Sequence, residues 1–215
     1  MYDVSGRREQ ARRTQEQILE AAERRFLSGG YAATTIGAIA GDVAVSVDTI
    51  YKTFRGKPGL IRAIRSRALL GTGPIPAEQR SDQLHEHHRD PRKIIEGWGK
   101  LVTELAPRVS PISLLVRDAA ASDPELRALL DESDRGRLRR MTENARRLHQ
   151  AGHLRPEITV EYAADVLWTY SSPELYELLV LRRGMALDDY GRFVASAMIS
   201  ALLAPTRSRR KTRSE

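Results

Sequence analysis

The chain contains no cysteine. That excludes disulfides and thiolate metal sites, and it fits a reducing compartment, so a cytoplasmic location is expected. No apolar run approaches the roughly 18 residues of a membrane span. The first residues, MYDVSGRREQARR, are polar and basic and lack the apolar centre of a signal peptide. No segment alternates as a half-buried strand does, and no internal repeat is visible. Catalytic signatures are missing too: there is no HExxH, no GxSxG and no P-loop. Gly71-Thr72-Gly73 begins like a dinucleotide loop, but Pro76 stands where the third glycine belongs and no strand precedes it. His85, His87 and His88 have no spaced fourth ligand. The expectation is a protein without catalytic residues, cofactor, metal or membrane segment.

What the chain does have is positive charge and helical period. Its formal net charge is +7 and its pI is near 10.0, which favours an anionic partner. The location of the charge tempers that reading. Residues 1–60 hold nine Lys/Arg against seven Asp/Glu, whereas the ten residues after Pro205 hold five Lys/Arg against one Glu. Much of the surplus therefore lies in a terminal tail. Arg7, Arg8, Arg12 and Arg13 are better placed, because basic N-terminal arms reach phosphates or a minor groove.

The most informative stretch is Gly30 to Lys57, GYAATTIGAIAGDVAVSVDTIYKTFRGK. Ile36, Ile39, Ala40 and Val43 recur three and four apart, the stripe of one buried helix face. Thr34 or Thr35 supplies its N-cap. Ser46 caps a second short helix, Asp48 sits in its first turn, and Val45 is placed to staple against Ile50. Ile50 and Phe54 face inward. Val47, Asp48, Thr49, Tyr51, Lys52 and Thr53 are left outside, with hydroxyls, a phenol and an ammonium suited to base edges and phosphates. Two short helices joined by a tight turn, the second polar, are the pattern of a helix-turn-helix whose second helix enters a major groove.

Here the chain resembles the TetR family of bacterial regulators. The likeness runs without a gap from about Arg12 to Leu70. It rests on Ile18, Leu19, Ala21, Ala22 and Phe26 in the first helix, then Gly30-Tyr31, Thr34-Thr35, Ile39-Ala40, Val45-Ser46, Thr49-Ile50-Tyr51, Phe54 and Lys57. Four positions depart from the family pattern. Ala38 stands where an acidic residue closes the capping box, and Ala44 where the turn carries glycine. Asp48 replaces a small residue and Thr53 an aromatic one. The first two weaken local structure by about 1 kcal/mol each. The last two bear on which DNA is chosen.

The expected fold is all-α: an N-terminal three-helix DNA-binding domain and a C-terminal helical domain for effector binding and dimerisation. The expected divisions are a basic arm over 1–11, the helix-turn-helix domain over 12–70, the effector and dimerisation domain over 71–204, and a basic disordered tail over 205–215. Helix one is expected to start at a capping box on Thr14 and Gln17. Residues 71–90 read as a loop or a short irregular helix. Further helices are expected over 91–106, 111–121, 124–151, 159–170, 173–183 and 187–204.

DNA contacts are expected from Thr34, Thr35, Ser46, Val47, Asp48, Thr49, Tyr51, Lys52 and Lys57. Tyr51, Lys52 and Lys57 suit phosphates; Val47, Asp48 and Thr49 suit base edges. The resemblance implies a homodimer through the last long helices, which places Ala163, Leu167, Phe193, Val194, Ala197, Met198 and Ala201 at the interface, with ordinary intrachain core as the alternative. It also implies a pocket for an unidentified apolar or aromatic effector near Trp98, Leu101, Met141, Trp168 and Tyr170. The function implied is a regulator, in the repressor sense, that binds a pseudo-palindromic double-stranded operator and is released by its effector. The alternative is an all-helical ligand-binding or scaffold protein with a degenerate DNA-binding head.

Overall fold

Glycine ends the first helix. In α1 (Val4–Ala33), Gly30 takes φ 80° and ψ 165°, so the regular helix stops there and a further turn leads onward. Such a backbone is open in practice only to a residue without Cβ. The computed structural model describes residues 4–73 and 75–205. It moves the start of helix one upstream of Thr14, whose hydroxyl donates to the Gln10 carbonyl at 3.0 Å inside the helix instead of capping it. Residues 4–11, expected as an arm, are thus helical; Glu9 pairs with Arg12 and Arg13 one turn on. Residues 1–3 of that arm, and the tail from 206 on, lie outside the described residues.

α2 (Ile36–Asp42) and α3 (Val47–Phe54) follow as the periodicity predicts, and α4 (Lys57–Leu70) comes after them. Thr35 is the α2 cap: its hydroxyl accepts from the Ala38 N–H at 3.1 Å. Ser46 caps α3 by accepting from the Thr49 N–H at 3.1 Å. Between them, Val45 N–H bonds the Ala40 carbonyl and Ala44 N–H the Gly41 carbonyl, a paired helix-end motif that needs a left-handed residue at 44. Ala44 takes φ 53° to satisfy it, the strained geometry expected of alanine at that turn. Ile18, Ala22, Phe26, Ile39, Ile50, Leu60 and Ile61 are fully buried together. Val45 packs against this core as a staple, and Phe54 is half-buried at its edge.

The segment after Leu70 is better ordered than its composition predicts. α5 (Ala77–His87) is a regular helix of 11 residues. Its few apolar groups conceal it in the sequence, but Asp82 holds both Arg140 and Arg147 at 2.7 Å and thereby ties it to α7. α6 (Pro91–Ala119) is one helix of 29 residues, not two; Pro107 and Pro111 lie inside it. Each proline removes a backbone donor and costs roughly 3 kcal/mol. Burial at both ends outweighs that, because Ile94, Ile95 and Trp98 sit in one core and Ile112 and Val116 in the other. α7 (Pro124–Gln150) returns the opposite way, from Leu126 and Leu129 in the first core to Ala145 and Leu148 in the second. The core of the N-terminal helices is therefore completed by α6 and α7.

α8 (Val160–Tyr170), α9 (Pro173–Tyr176) with its π-helical continuation Glu177–Arg182, and α10 (Leu187–Leu202) close the second core. α10 approaches α6 closely through two glycines. A Cβ on Gly191 would lie 2.0 Å from Thr103 Oγ1, and one on Gly99 would lie 2.7 Å from the Gly191 carbonyl oxygen. This burial corrects most of the expected interface. Ala163, Leu167, Val194 and Met198 are at most 2% exposed within the single chain, so they are intrachain core and have no surface to offer a partner. Phe193 is 42% exposed, and Ala197 and Ala201 are half-buried. Among the described residues there is no strand, and no helix is long and apolar enough to cross a membrane.

Candidate nucleic-acid interface

The outer face of α3 is assembled from its caps upward. With Ser46 starting the helix and Ile50 buried, the helical period turns Val47, Asp48, Tyr51 and Lys52 outward. Val47 is 40% exposed and Tyr51 53%, large for apolar and aromatic side chains. Arg55 ends the helix in a left-handed conformation, φ 61°, and is exposed. α3 is thus bracketed by two non-glycine residues of positive φ, Ala44 and Arg55.

Beside α3 lies an open cleft of about 580 Å³. Thr35, Gly37, Val47, Tyr51, Arg55 and Lys57 line it, with Glu125 of α7 at its edge. Four uncharged or cationic polar side chains thus share one concavity with the first turn of α4, which carries no side-chain cap. Such a surface suits a phosphate, from hydroxyl donors, a guanidinium and free helix-start N–H groups. Glu125 opposes an anion there, so Arg55 and Lys57 must outweigh it. A second cleft of about 410 Å³ separates the start of α1 from α3, lined by Arg7, Gln10, Thr14, Thr49 and Thr53 among others. The helical start of α1 therefore runs beside the recognition helix.

The structure divides the nine expected contact residues. Thr35, Ser46, Val47, Asp48, Tyr51 and Lys52 are exposed on one side of the domain. Thr49 is half-buried toward α1, and its hydroxyl pairs with Ser46 Oγ at 2.9 Å. Thr34 is a correction: it is 5% exposed, and its hydroxyl donates inward to the carbonyls of Gly30 and Arg25, at 2.8 and 3.1 Å. Its side chain fastens the end of α1 and offers nothing to DNA. Lys57 is a partial correction. Its ammonium donates to the carbonyls of Tyr31 at 2.7 Å and Thr34 at 3.0 Å, and lies 4.1 Å from the Tyr31 ring centre. Burial draws its pKa down, with Asp123 opposing. Lys57 thus reaches the cleft as a clamp on the chain between α1 and α2, not as a free cation. Beneath it the Tyr31 phenol is pushed up to about 12, mainly by burial and then by Asp123 and Glu125.

Sequence reasoning missed two residues. Arg55 lines the cleft, and its only signal is its place just before Gly56 and Lys57. Glu104 on α6 takes two bonds from Arg80, at 2.7 and 2.8 Å, and one from the Thr72 N–H at 2.7 Å. Those bonds, Arg80 first, lower its pKa to about 2 and fix the connection between α4 and α5. No local pattern announces such a long-range clamp.

Four of the five expected effector residues, Trp98, Leu101, Met141 and Tyr170, pack in or against the second core. Trp98 is 6% exposed against His85, with ring centres 5.4 Å apart, and Leu101 and Met141 pack on the second core. Trp168 lies under the Arg137 guanidinium at 4.3 Å, and Tyr170 meets Phe193 at 6.4 Å.

The fold and surface define a helix-turn-helix head carried on a helical body. Residues 18–64 match the family model for "Bacterial regulatory proteins, tetR family". A curated relative, the "Uncharacterized HTH-type transcriptional regulator YvkB" of Bacillus subtilis (strain 168), is 37% identical over 71 residues. That match spans 33% of this chain and 38% of the relative, little more than a third of its length. Solved structures share the whole architecture. The triclosan complex of SmeT has a TM-score of 0.71 at 23% identity, covering 94% of this chain and 97% of that one. SmeT is described as the repressor of the Stenotrophomonas maltophilia multidrug efflux pump SmeDEF. Native NalD, the secondary repressor of the Pseudomonas aeruginosa pump MexAB-OprM, has a TM-score of 0.72 at 20% identity, covering 92% and 99%. At such identities these likenesses establish the fold.

Proposed function

We propose that the protein is a transcriptional repressor that binds double-stranded operator DNA as a homodimer and is released by a small-molecule effector. The observation that carries this reading is the outward face of α3, where Val47, Asp48, Tyr51 and Lys52 stand exposed beside the cleft at Thr35 and Arg55. Val47 and Asp48 read base edges, through a thymine methyl and a cytosine amino group. Tyr51, Thr35, Lys52 and Arg55 hold phosphates. A two-fold dimer sets two such helices on a pseudo-palindrome. The exposed parts of α8 and α10 at Tyr162 and Phe193, 52% and 42% exposed, offer it an apolar face. The solved relatives named as pump repressors, one of them with triclosan bound, support the repressor sense and the effector. Release follows population shift, so the effector must bind the DNA-incompetent arrangement better.

The test is competition binding of the full chain to DNA from upstream of its own gene against random duplex. Specific binding about a thousandfold tighter than random is expected. A protein for which no upstream sequence beats random DNA is the helical scaffold with a degenerate head.

A further inference from the structure

Two half-buried guanidiniums stand where the head meets the body. Arg65 of α4 donates to Ser133 Oγ on α7. Arg137, one turn further along α7, lies over the Trp168 ring of α8 and donates to the Trp168 carbonyl. Positions 133 and 137 share one face of α7, so the two cations lie on one stripe. Their counter-charge is thin. Three carboxylates act on the pair, but each is exposed or shared: Asp134 meets Arg137 at 3.4 Å and is half exposed, Glu132 is drawn 3.8 Å toward Arg62, and Glu174 lies 3.9 Å from Arg117. Donors are in excess as well: Arg65 Nε and Trp168 Nε1 are buried and meet no acceptor among the described residues. Burial draws the pKa of both arginines down from the usual value, Asp134 opposing in each case. Arginine does not escape burial by losing its proton. Two partly desolvated cations and two unmet donors are complementary to an oxyanion, which a guanidinium fork binds bidentately.

We propose that the junction of α4, α7 and α8 binds a small oxyanion, a carboxylate or phosphate, through Arg65 and Arg137, and that its occupancy sets the position of α4. This deepens the effector part of the function proposed above and rests on it. The coupling route is short. Arg65 lies eight residues along α4 from Lys57, about 12 Å of helix. Lys57 holds the carbonyls of Tyr31 and Thr34 at the edge of the DNA-side cleft. A shift of α4 at its anion end therefore moves the cleft and α3.

Thermal melting of the full chain tests the site with no DNA present. Benzoate and inorganic phosphate are the probes; benzamide and sodium chloride at matched ionic strength are the controls. A saturable rise in Tm is expected with at least one oxyanion and with neither control. In Arg65→Gln and Arg137→Gln the half-saturating concentration should rise at least tenfold. No saturable rise in the wild type, an equal rise with benzamide or chloride, or a rise retained in either folded variant overturns the site. If both variants fail to fold, the selectivity of the wild type decides. Operator affinity at saturating oxyanion should change at least about fivefold, the lower range of allosteric coupling; an unchanged affinity overturns the coupling to α4. Because the melting arm contains no DNA, failure there leaves the DNA-binding reading standing, and absence of operator binding leaves the anion site standing.

Discussion

In the head, Thr34, Thr35, Ser46 and Lys57 each close a hydrogen bond to the head's own backbone, and the side chains left over face solvent on α3. In the body and at its junction with α4, Arg65, His85, Trp98, Asn144 and Trp168 bury polar atoms that meet no partner among the described residues. The head is finished as it stands, and rigid presentation of α3 is what groove binding requires. The body and the junction keep unmet polar atoms, which cost stability until something pairs with them. A part that holds its shape and a part that responds to a ligand are expected to differ in this way.

The comparison is broken most strongly from inside the head. Phe26 is fully buried, so Phe26→Ala should destabilise by about 3–5 kcal/mol. Because α6 and α7 complete that core, chemical denaturation should show one cooperative loss. A separate, unchanged transition for the body would show that the two parts fold independently. Lys57→Met removes two charge-assisted bonds to carbonyls and should cost roughly 1.5–3 kcal/mol. If denaturation midpoints do not move while DNA binding falls, Lys57 acts on phosphate and not as a clamp.

Tyr51→Phe should weaken binding about tenfold on every sequence, the loss of one phosphate hydrogen bond. Asp48→Ala should instead change the preference at one base pair, seen by binding to a library of single-position variants. Equal, uniform losses from both would contradict the assigned roles. Ala44→Gly should raise stability by up to about 1 kcal/mol, since glycine takes the left-handed turn without strain. A drop on that change would mean the entropy of glycine outweighs the strain.

The smallest effect sharpens the body side. His85 is lowered from 6.5 to about 4, first by burial and then by Arg147 and Arg140, with Asp82 opposing. The unfolded chain therefore takes up this proton before the folded one does. Stability should fall as pH drops from about 6.5 to about 4 and be insensitive to this group above that window. His85→Leu should flatten the slope in denaturation curves across that range; an unchanged slope would place it on other groups.

Much of the head was legible because its signals are local. Caps act over three residues and stripes over three or four, so Ser46, Ile39, Ile50 and the α2–α3 turn follow from spacing alone. Which threonine capped α2 was not legible, since Thr34 and Thr35 are chemically alike. The carbonyls at the end of α1 drew one of them inward. α5 was obscured because ion pairs from Asp82 hold it where apolar spacing does not. Pro107 and Pro111 predicted a break that long-range burial of α6 overrode.

The sequence by itself determined that the chain is helical, that its N-terminal part is a helix-turn-helix, and which face of α3 looks outward. Each of these follows from interactions within a turn or two of one helix. Only the tertiary structure decided that Ala163, Leu167, Val194 and Met198 are intrachain core, that Lys57 clamps two carbonyls, and that Arg65 and Arg137 lie half-buried on one stripe. An apolar face or a cation shows in the sequence that it needs a partner. The packing of distant helices chooses the partner, and that choice depends on contacts many residues apart that no local spacing records.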